Sequence, residues 1–438
     1  MTTNLPRYSK RSRTAIGCPR SGVPTNGSLF VGWRSPGFGD PGKHKPPPAP
    51  KAFPHNSKSV PCSLFPGPCL ILGGGLAGSM AGLLLARSGR TAVLVEKEKT
   101  AHHKVCGEFL SPEAVRYLQQ AGIDPIDHGA VPIHLLRLSV SDRTVETRLP
   151  FTALSLSRHL LDEALLTRAQ AEGCAVRRGI AVERLAREGG SWTARLADGE
   201  SISAPTLFLA TGKHDLRGWP RSQGVQSDLV GFKLHWRLAP AQTAALRNAM
   251  ELYLFPGGYG GLALVENEVA NLCLVVRKAD LLRLGGWGAL LASLRGCNRR
   301  MRHLLEGAQT LWDRPLAVSS IPYGHLISSH PAPGLWALGD QAAVIPSFTG
   351  DGMSIALHSA ALATGMFLSG AAPAAYQHTL ARQLGRGMKL ATVLSLASVH
   401  PISRAAAPWA LSLFPQALNW IASATRIPPA AVAAALTT

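Results

Sequence analysis

The sequence predicts an α/β fold: a parallel sheet assembled from discontinuous pieces of chain, an inserted, mainly antiparallel β domain, and a helical C-terminal region. Three observations predict it. Residues 69–96, "CLILGGGLAGSMAGLLLARSGRTAVLVE", read as strand, tight turn, helix and strand. A later strand, "LWALGD" at 335–340, leads through a glycine turn into the helix "MSIALHSAALATGMFL". Between these ends lie short runs of period-two polarity, the mark of half-buried strands.

The chain has 438 residues, 46% hydrophobic and 16% charged, enough for two or three domains. Its net charge of +19 is uneven: residues 1–66 hold ten Lys/Arg against one acid, Asp40, and twelve of the 32 prolines. Such an extension buries too little apolar surface to offset its chain entropy and is expected to be disordered. It lacks the apolar run of a secretory signal. It reads either as a basic targeting arm or as a stretch ahead of the true start; the second reading is favoured, because folded sequence begins abruptly near Pro68. No basic helix with interleaved aromatics is present, so nucleic acid is not an expected partner. Seven cysteines without a C-x-x-C pair make no disulfide framework, and a reducing, cytoplasmic setting is expected.

In chain order, residues 69–86 carry no charge, but three glycines and the closing "TAVLVE" argue against a membrane helix there. "SPEAVRYLQQAG" opens a helix with Ser111 as N-cap and Pro112 in the first turn, and Gly122 stops it. Residues 157–173 form another helix, capped by Ser157. Asp198-Gly199 marks a hairpin. In "DLVGFKLHWRL" (228–238), Phe232, Leu234, Trp236 and Leu238 face one side and Lys233, His235 and Arg237 the other, which reads as a half-buried antiparallel strand. The expected organisation is 1–66 extension, 67–225 first nucleotide-binding segment, 226–325 substrate-binding β domain, 326–370 second nucleotide-binding segment and 371–438 helical region.

Gly73, Gly75 and Gly78 make a G-x-G-x-x-G turn between strand and helix, with Glu96 at the tip of the second strand. The first glycine permits the tight turn, the second admits a pyrophosphate to the backbone, and the third lets helix pack on strand. The helix N-terminus offers unpaired N–H groups to phosphate, and Glu96 can hold ribose hydroxyls. This Rossmann-like unit points to FAD or NAD. The late run "GDQAAVIPSFTGDGMSIALHSA" decides for FAD. Asp340 ends a strand where it can bond a polyol, and Pro346, Gly350 and Gly352 aim a helix N-terminus at one point, which would favour the negative charge of a reduced flavin. Taken alone, that run would be an ordinary turn capped by Asp351.

Together, G-x-G-x-x-G, the strand-tip Glu, "CGE", "SRHLLDEAL", "ATG" and "GDQAAVIPSFTGDGMSIAL" resemble the FAD-dependent family of aromatic-ring hydroxylases and geranylgeranyl reductases. The resemblance covers about residues 69–370. It implies that Gly73, Gly75 and Gly78 contact the FAD pyrophosphate, Glu96 the adenosine ribose, Arg158 the phosphates and Asp340 the ribityl chain, with Gly350, Gly352 and Met353 beside the isoalloxazine. The ring hydroxylases carry an Asp-Gly motif after the mid-chain strand; here the stretch is "ATGKHDLRG", with Lys213, His214 and Arg217 as anion-binding side chains. Direct use of NAD(P)H as electron donor is thereby left open.

In "HHKVCGEFL" (102–110), adjacent His102 and His103 would point to opposite faces of an extended chain, a poor metal set with Cys106, and no metal is expected. The resemblance to the reductases implies that Cys106-Gly107 lies near the flavin. Lys104 is a cofactor-side cation that would favour the Cys106 thiolate, although a merely packed Cys106 fits as well. Tyr323 and His325 in "IPYGH" are candidate acid–base groups, each otherwise a packed or hydrogen-bonded side chain. Phe232, Trp236, Tyr253, Phe255 and Tyr259 offer an apolar substrate wall. Residues 405–425 carry no charge, but Pro408, Pro415, Gln416 and Asn419 fit packed or lipid-dipping helices better than a spanning one, so peripheral membrane contact is an expectation.

The first functional expectation is an FAD-dependent monooxygenase acting with O₂ on an apolar, phenolic or lipid-like small molecule in a site closed to water. The second is a reductase of isoprenoid double bonds, with Cys106 or Tyr323 supplying a proton. A halogenase is disfavoured by the lack of W-x-W-x-I-P. A non-catalytic FAD-binding protein is the third class.

Overall fold

The computed structural model describes residues 67–327, 332–413 and 416–437. The expected disordered extension, Cys18, Cys62 and Pro415 lie outside the described residues.

The first strand, Cys69–Leu72, is central to a five-stranded parallel sheet in the order Leu335–Ala337, Thr206–Leu209, Cys69–Leu72, Ala92–Glu96, Ala175–Arg178. All four of its side chains are buried because alternate residues face two covered layers. Cys69 and Ile71 pack with Met80 and Leu83 of the fingerprint helix (Leu76–Arg87), Leu161 and Leu165 of the Ser157-capped helix (Arg158–Ala171) and Leu357 of the late helix (Gly352–Leu368). Leu70 and Leu72 pack on a three-stranded meander, Val182–Glu188, Ser191–Leu196 and Ser201–Ala204, through Leu185, Trp192 and Leu196. The Asp198-Gly199 hairpin joins the last two meander strands. The Ser157 hydroxyl accepts from the Leu160 amide and that of Ser111 from the Ala114 amide, so both caps form as their sequences dictate.

The second sheet has nine strands and is antiparallel except where Ala249–Phe255 runs parallel to Val131–Val140. Its strands Val131–Val140, Arg143–Ser155 and Phe109–Leu110 come from the stretch assigned above to the first nucleotide-binding segment. The strand Leu229–Arg237 keeps its period of two: Phe232, Leu234 and Trp236 join a core with Leu290, Leu294 and Met301. The opposite face differs from the sequence expectation. Lys233 and His235 are buried as well, and only Arg237 is exposed.

The C-terminal region is helical: Pro373–Val399, Pro401–Leu413, Gln416–Ala424 and Pro429–Leu436. It is tied to the rest by Tyr376, whose hydroxyl donates to the Ala337 carbonyl at 2.8 Å, and by Arg426, whose guanidinium meets the Asp351 carboxylate at 3.0 Å. The uncharged stretch 405–425 is divided between two helices, and among the described residues no helix is long and apolar enough to cross a membrane.

Candidate active site

A cavity of about 850 Å³ runs from the fingerprint turn, past the late glycine turn, to the inner side of the C-terminal helices. Gly73 and Gly75 line it at one end, and Gly73 and Gly78 tolerate no side chain. A Cβ on Gly78 would lie 1.8 Å from the Gly73 carbonyl oxygen, and one on Gly73, where φ is +105°, would lie 2.4 Å from the Ala210 oxygen. Strand and helix approach this closely only without side chains. Gly75 caps the fingerprint helix with no side-chain bond to the first-turn amides, which leaves them for a ligand. A Cβ there would meet Lys104 Nζ at 3.5 Å and an Arg158 guanidinium nitrogen at 3.6 Å. Two cations and a set of open N–H groups therefore converge on one spot beside Gly75.

Asp162 holds both cations in place. It accepts from Arg158 Nε at 2.6 Å and Nη2 at 2.9 Å, and from Lys104 Nζ at 2.8 Å. Burial alone would push the Asp162 carboxyl up, but the Arg158 and Lys104 charges outweigh it and hold it below its ordinary value. Lys104 is thus paired with Asp162 rather than serving the Cys106 thiol as the sequence suggested. At the second strand tip, the buried Glu96 accepts from the Gly74 amide at 2.6 Å and the Glu98 amide at 2.9 Å, which fixes its carboxylate on the cavity wall.

Further along the wall stand Asp340, Gly350, Gly352 and Met353. Gly350 has φ +75°, and a Cβ there would strike the Phe109 ring at 2.5 Å. Asp351, the residue before the late helix, is not available to a ligand. It is buried on Arg426, and its carboxyl is raised to about 6 by burial, which the Arg426 charge only partly offsets.

Cys106 lines the cavity, half-buried, its sulfur 3.4 Å from the Glu108 amide. Tyr323 lines it too, fully buried. Burial pushes its hydroxyl well above the usual phenol range, so Tyr323 gives up its proton less readily than an exposed phenol. Tyr259, which the sequence reading had placed only in a substrate wall, lies beside it with Ser347 Oγ 3.5 Å from its hydroxyl. Of the remaining wall candidates Tyr253 borders the cavity but packs with Phe232, Trp236 and Phe255 in the core on the far side of the sheet. His325 is not brought to the cavity: its ring bonds Ser222 Oγ at 2.7 Å and faces the Gln341 carbonyl at 3.4 Å.

Sequence reasoning missed the centre of "CGE". Glu108 adopts a left-handed backbone, φ +59°, and is wholly buried. It accepts from the Lys233 ammonium, from His235 Nε2 at 3.2 Å and from the Arg158 amide at 2.8 Å. Burial pushes this carboxyl up, but the His235 hydrogen bond and the Lys233 charge prevail and hold it below its ordinary value. His103 stacks on His159 and stands edge-on to His235, with Trp312 closing the cluster. Burial first, then the Lys233 and His235 charges, lower the His103 imidazolium to about 4. The ligand atoms of His103, Glu108 and His235 lie within 4.8 Å of one another, but Lys233 already occupies the carboxylate and would oppose a cation. The cluster is a charge hub joining the CGE loop to the second sheet. No signal in the sequence links position 108 to position 233; a lysine and a histidine on one face of an alternating strand were the trace of it.

The donor set fits FAD: a side-chain-free phosphate cradle with two cations, a strand-tip carboxylate, and a second helix end over 250 residues later on the same cavity wall. A family model described as an FAD binding domain matches residues 68–207. Menaquinone reductase of Mycolicibacterium smegmatis is 26% identical over 75% of this chain and 84% of its own length. This chain is an FAD-dependent oxidoreductase. Other relatives of the flavoenzyme span other reactions. The FAD-dependent monooxygenase apdD of Emericella nidulans is 25% identical over 43% of this chain and 26% of its own. In fold the flavoenzyme is similar to the halogenase PltM solved with phloroglucinol and FAD, with a TM-score of 0.63 at 14% identity over 84% of this chain and 90% of that one.

Proposed function

We propose that this flavoenzyme reduces carbon–carbon double bonds in a long apolar, isoprenoid-like lipid. The observation that carries the reading is the extent and character of the cavity. Beyond the flavin end it continues between Leu136, Leu138, Leu149, Met250, Leu252 and Leu254 of the second sheet and reaches Leu394, Leu411, Leu418 and Ile421 of the C-terminal helices. A small phenol needs no such length, whereas an extended chain buries most of its surface in it. The similarity to a menaquinone reductase over most of both chains supports the same reading.

Bound FAD supplies hydride chemistry. The chain's own groups do the rest. Gly75, Lys104 and Arg158 would hold the pyrophosphate, Glu96 the ribose, and the late helix end would face the ring. Saturating a double bond takes one hydride and one proton. The proton comes from a group on the cavity wall, and Tyr323, beside Tyr259 and Ser347, is the candidate by position; Cys106 is the other candidate. The apolar lining keeps water from the reacting carbon.

The test is to reduce the enzyme chemically without air, add a polyprenyl lipid and read the product mass. A product heavier by two hydrogens, lost in Tyr323→Phe or Cys106→Ala, supports the reading. A product heavier by one oxygen, formed only with air and with matched O₂ uptake, rejects it in favour of the monooxygenase reading that the apdD relative keeps open. NADPH and NADH are compared as donors in the same assay.

A further inference from the structure

We propose that the outer face of the C-terminal helices docks on an anionic lipid bilayer. This surface reading does not depend on which reaction the cavity supports. The helix Pro373–Val399 exposes one continuous stripe, Arg382, Arg386, Lys389, Val393 and Leu396, which its C-cap His400 extends. These positions are spaced by three or four residues and so share a face. The first half of the stripe is cationic and the second apolar. The following helix, Pro401–Leu413, exposes Ile402, Ala406, Trp409 and Leu413 at the same spacing, and Gln416–Ala424 exposes Trp420.

These side chains are unusual for this protein. Of the eleven large hydrophobic residues that are exposed among the described residues, six lie between positions 393 and 420, and both exposed tryptophans, Trp409 and Trp420, are among them. Single exposed apolar residues need no partner, but a clustered set does. Amphipathic tryptophan and leucine beside basic residues are the composition of a face that lies in the headgroup region.

Charge selects the partner. From Gly352 to the end of the chain there is no Asp or Glu, while Arg382, Arg386 and Lys389 stand on the exposed stripe; Arg426 is buried on Asp351 and adds nothing to this face. Arg143, which opens the strand Arg143–Ser155, lies over the Trp409 ring at 3.7 Å and adds a cation at the rim, next to Asp142 of the preceding turn. A face carrying cations and apolar side chains suits phosphatidylglycerol-type headgroups over acyl chains. The inner side of the same helices forms the far wall of the cavity, through Leu394, Ala407 and Leu411. Docking would thus set the apolar end of the cavity against the membrane.

The experiment sediments the full chain, loaded with FAD, with vesicles of phosphatidylcholine alone or mixed with phosphatidylglycerol. Binding is expected to the mixed vesicles, to weaken with added salt, and to drop at least tenfold in Trp409→Ser/Trp420→Ser. Neither tryptophan lines the cavity, so the flavin spectrum of the variant should match the parent and report an intact fold. A brominated lipid should quench the part of the emission that the double variant lacks. Equal binding by parent and variant overturns the proposal, as does equal binding to neutral vesicles. A concentration-dependent dimer that dissociates in the double variant would assign the face to a second copy of the chain and also overturns it.

Discussion

Removing Lys233 tests the charge hub directly. Glu108 and Lys233 are both wholly buried, and neither side chain touches water. Lys233→Met keeps the length of the side chain and deletes the ammonium. The Glu108 carboxylate then retains only His235 and the Arg158 amide as donors. Breaking a buried pair at one end costs about 3–5 kcal/mol, because the surviving charge is left without compensation. Because the carboxylate keeps those two donors, the lower end of that range, about 3 kcal/mol, is the expected loss. Glu108→Gln, which strands the ammonium instead, should cost about as much. The double variant Glu108→Gln/Lys233→Met leaves no buried charge, and should lose about 2 kcal/mol less than the two single losses together. Urea unfolding followed by tryptophan emission measures all three, and Trp312, stacked on His235, reports the site itself. The comparison requires unchanged slopes. Losses that simply add would refute the reasoning, since they would mean that the two groups stabilise the fold independently.

Two further outcomes are expected. Gly78→Ala should yield protein without visible flavin absorbance, because a methyl group 1.8 Å from the Gly73 oxygen must force strand and helix apart; a yellow, stoichiometrically loaded variant would contradict the cradle described above. His103, lowered from 6.5 to about 4 in the folded protein, makes its contribution above pH 6.5 and loses it as pH falls toward 4, where the unfolded chain binds the proton first. The melting temperature of the parent should therefore fall relative to His103→Gln across that interval, and parallel curves would count against the assignment.

Local signals made much of this molecule legible. The caps Ser111 and Ser157, the Asp198-Gly199 hairpin and the fingerprint turn depend on residues a few positions apart, and each forms as its spacing dictates. That the chain binds FAD was readable because phosphate binding needs glycines in a fixed local order. What failed were inferences across long separations. The polar face of Leu229–Arg237 read as solvent-facing because Lys and His seldom bury without a partner, and that partner, Glu108, lies 125 residues earlier. His325 shares a short motif with Tyr323, yet the chain turns between them, and only the tyrosine reaches the cavity. Lys104 stands near Cys106 in sequence but binds Asp162, 58 residues away, because a buried carboxylate is the stronger attractor.

Asp162 carries one negative charge and answers two positive ones. The surplus of one positive charge, with the open N–H groups of the fingerprint helix, favours an anion at that point, and the diphosphate of FAD carries two negative charges to it. Small anions in the medium compete for the same place. Sulfate, phosphate and concentrated chloride should therefore act as competitors that strip the flavin during purification, and the colour of a preparation will depend on the salt in which it was washed.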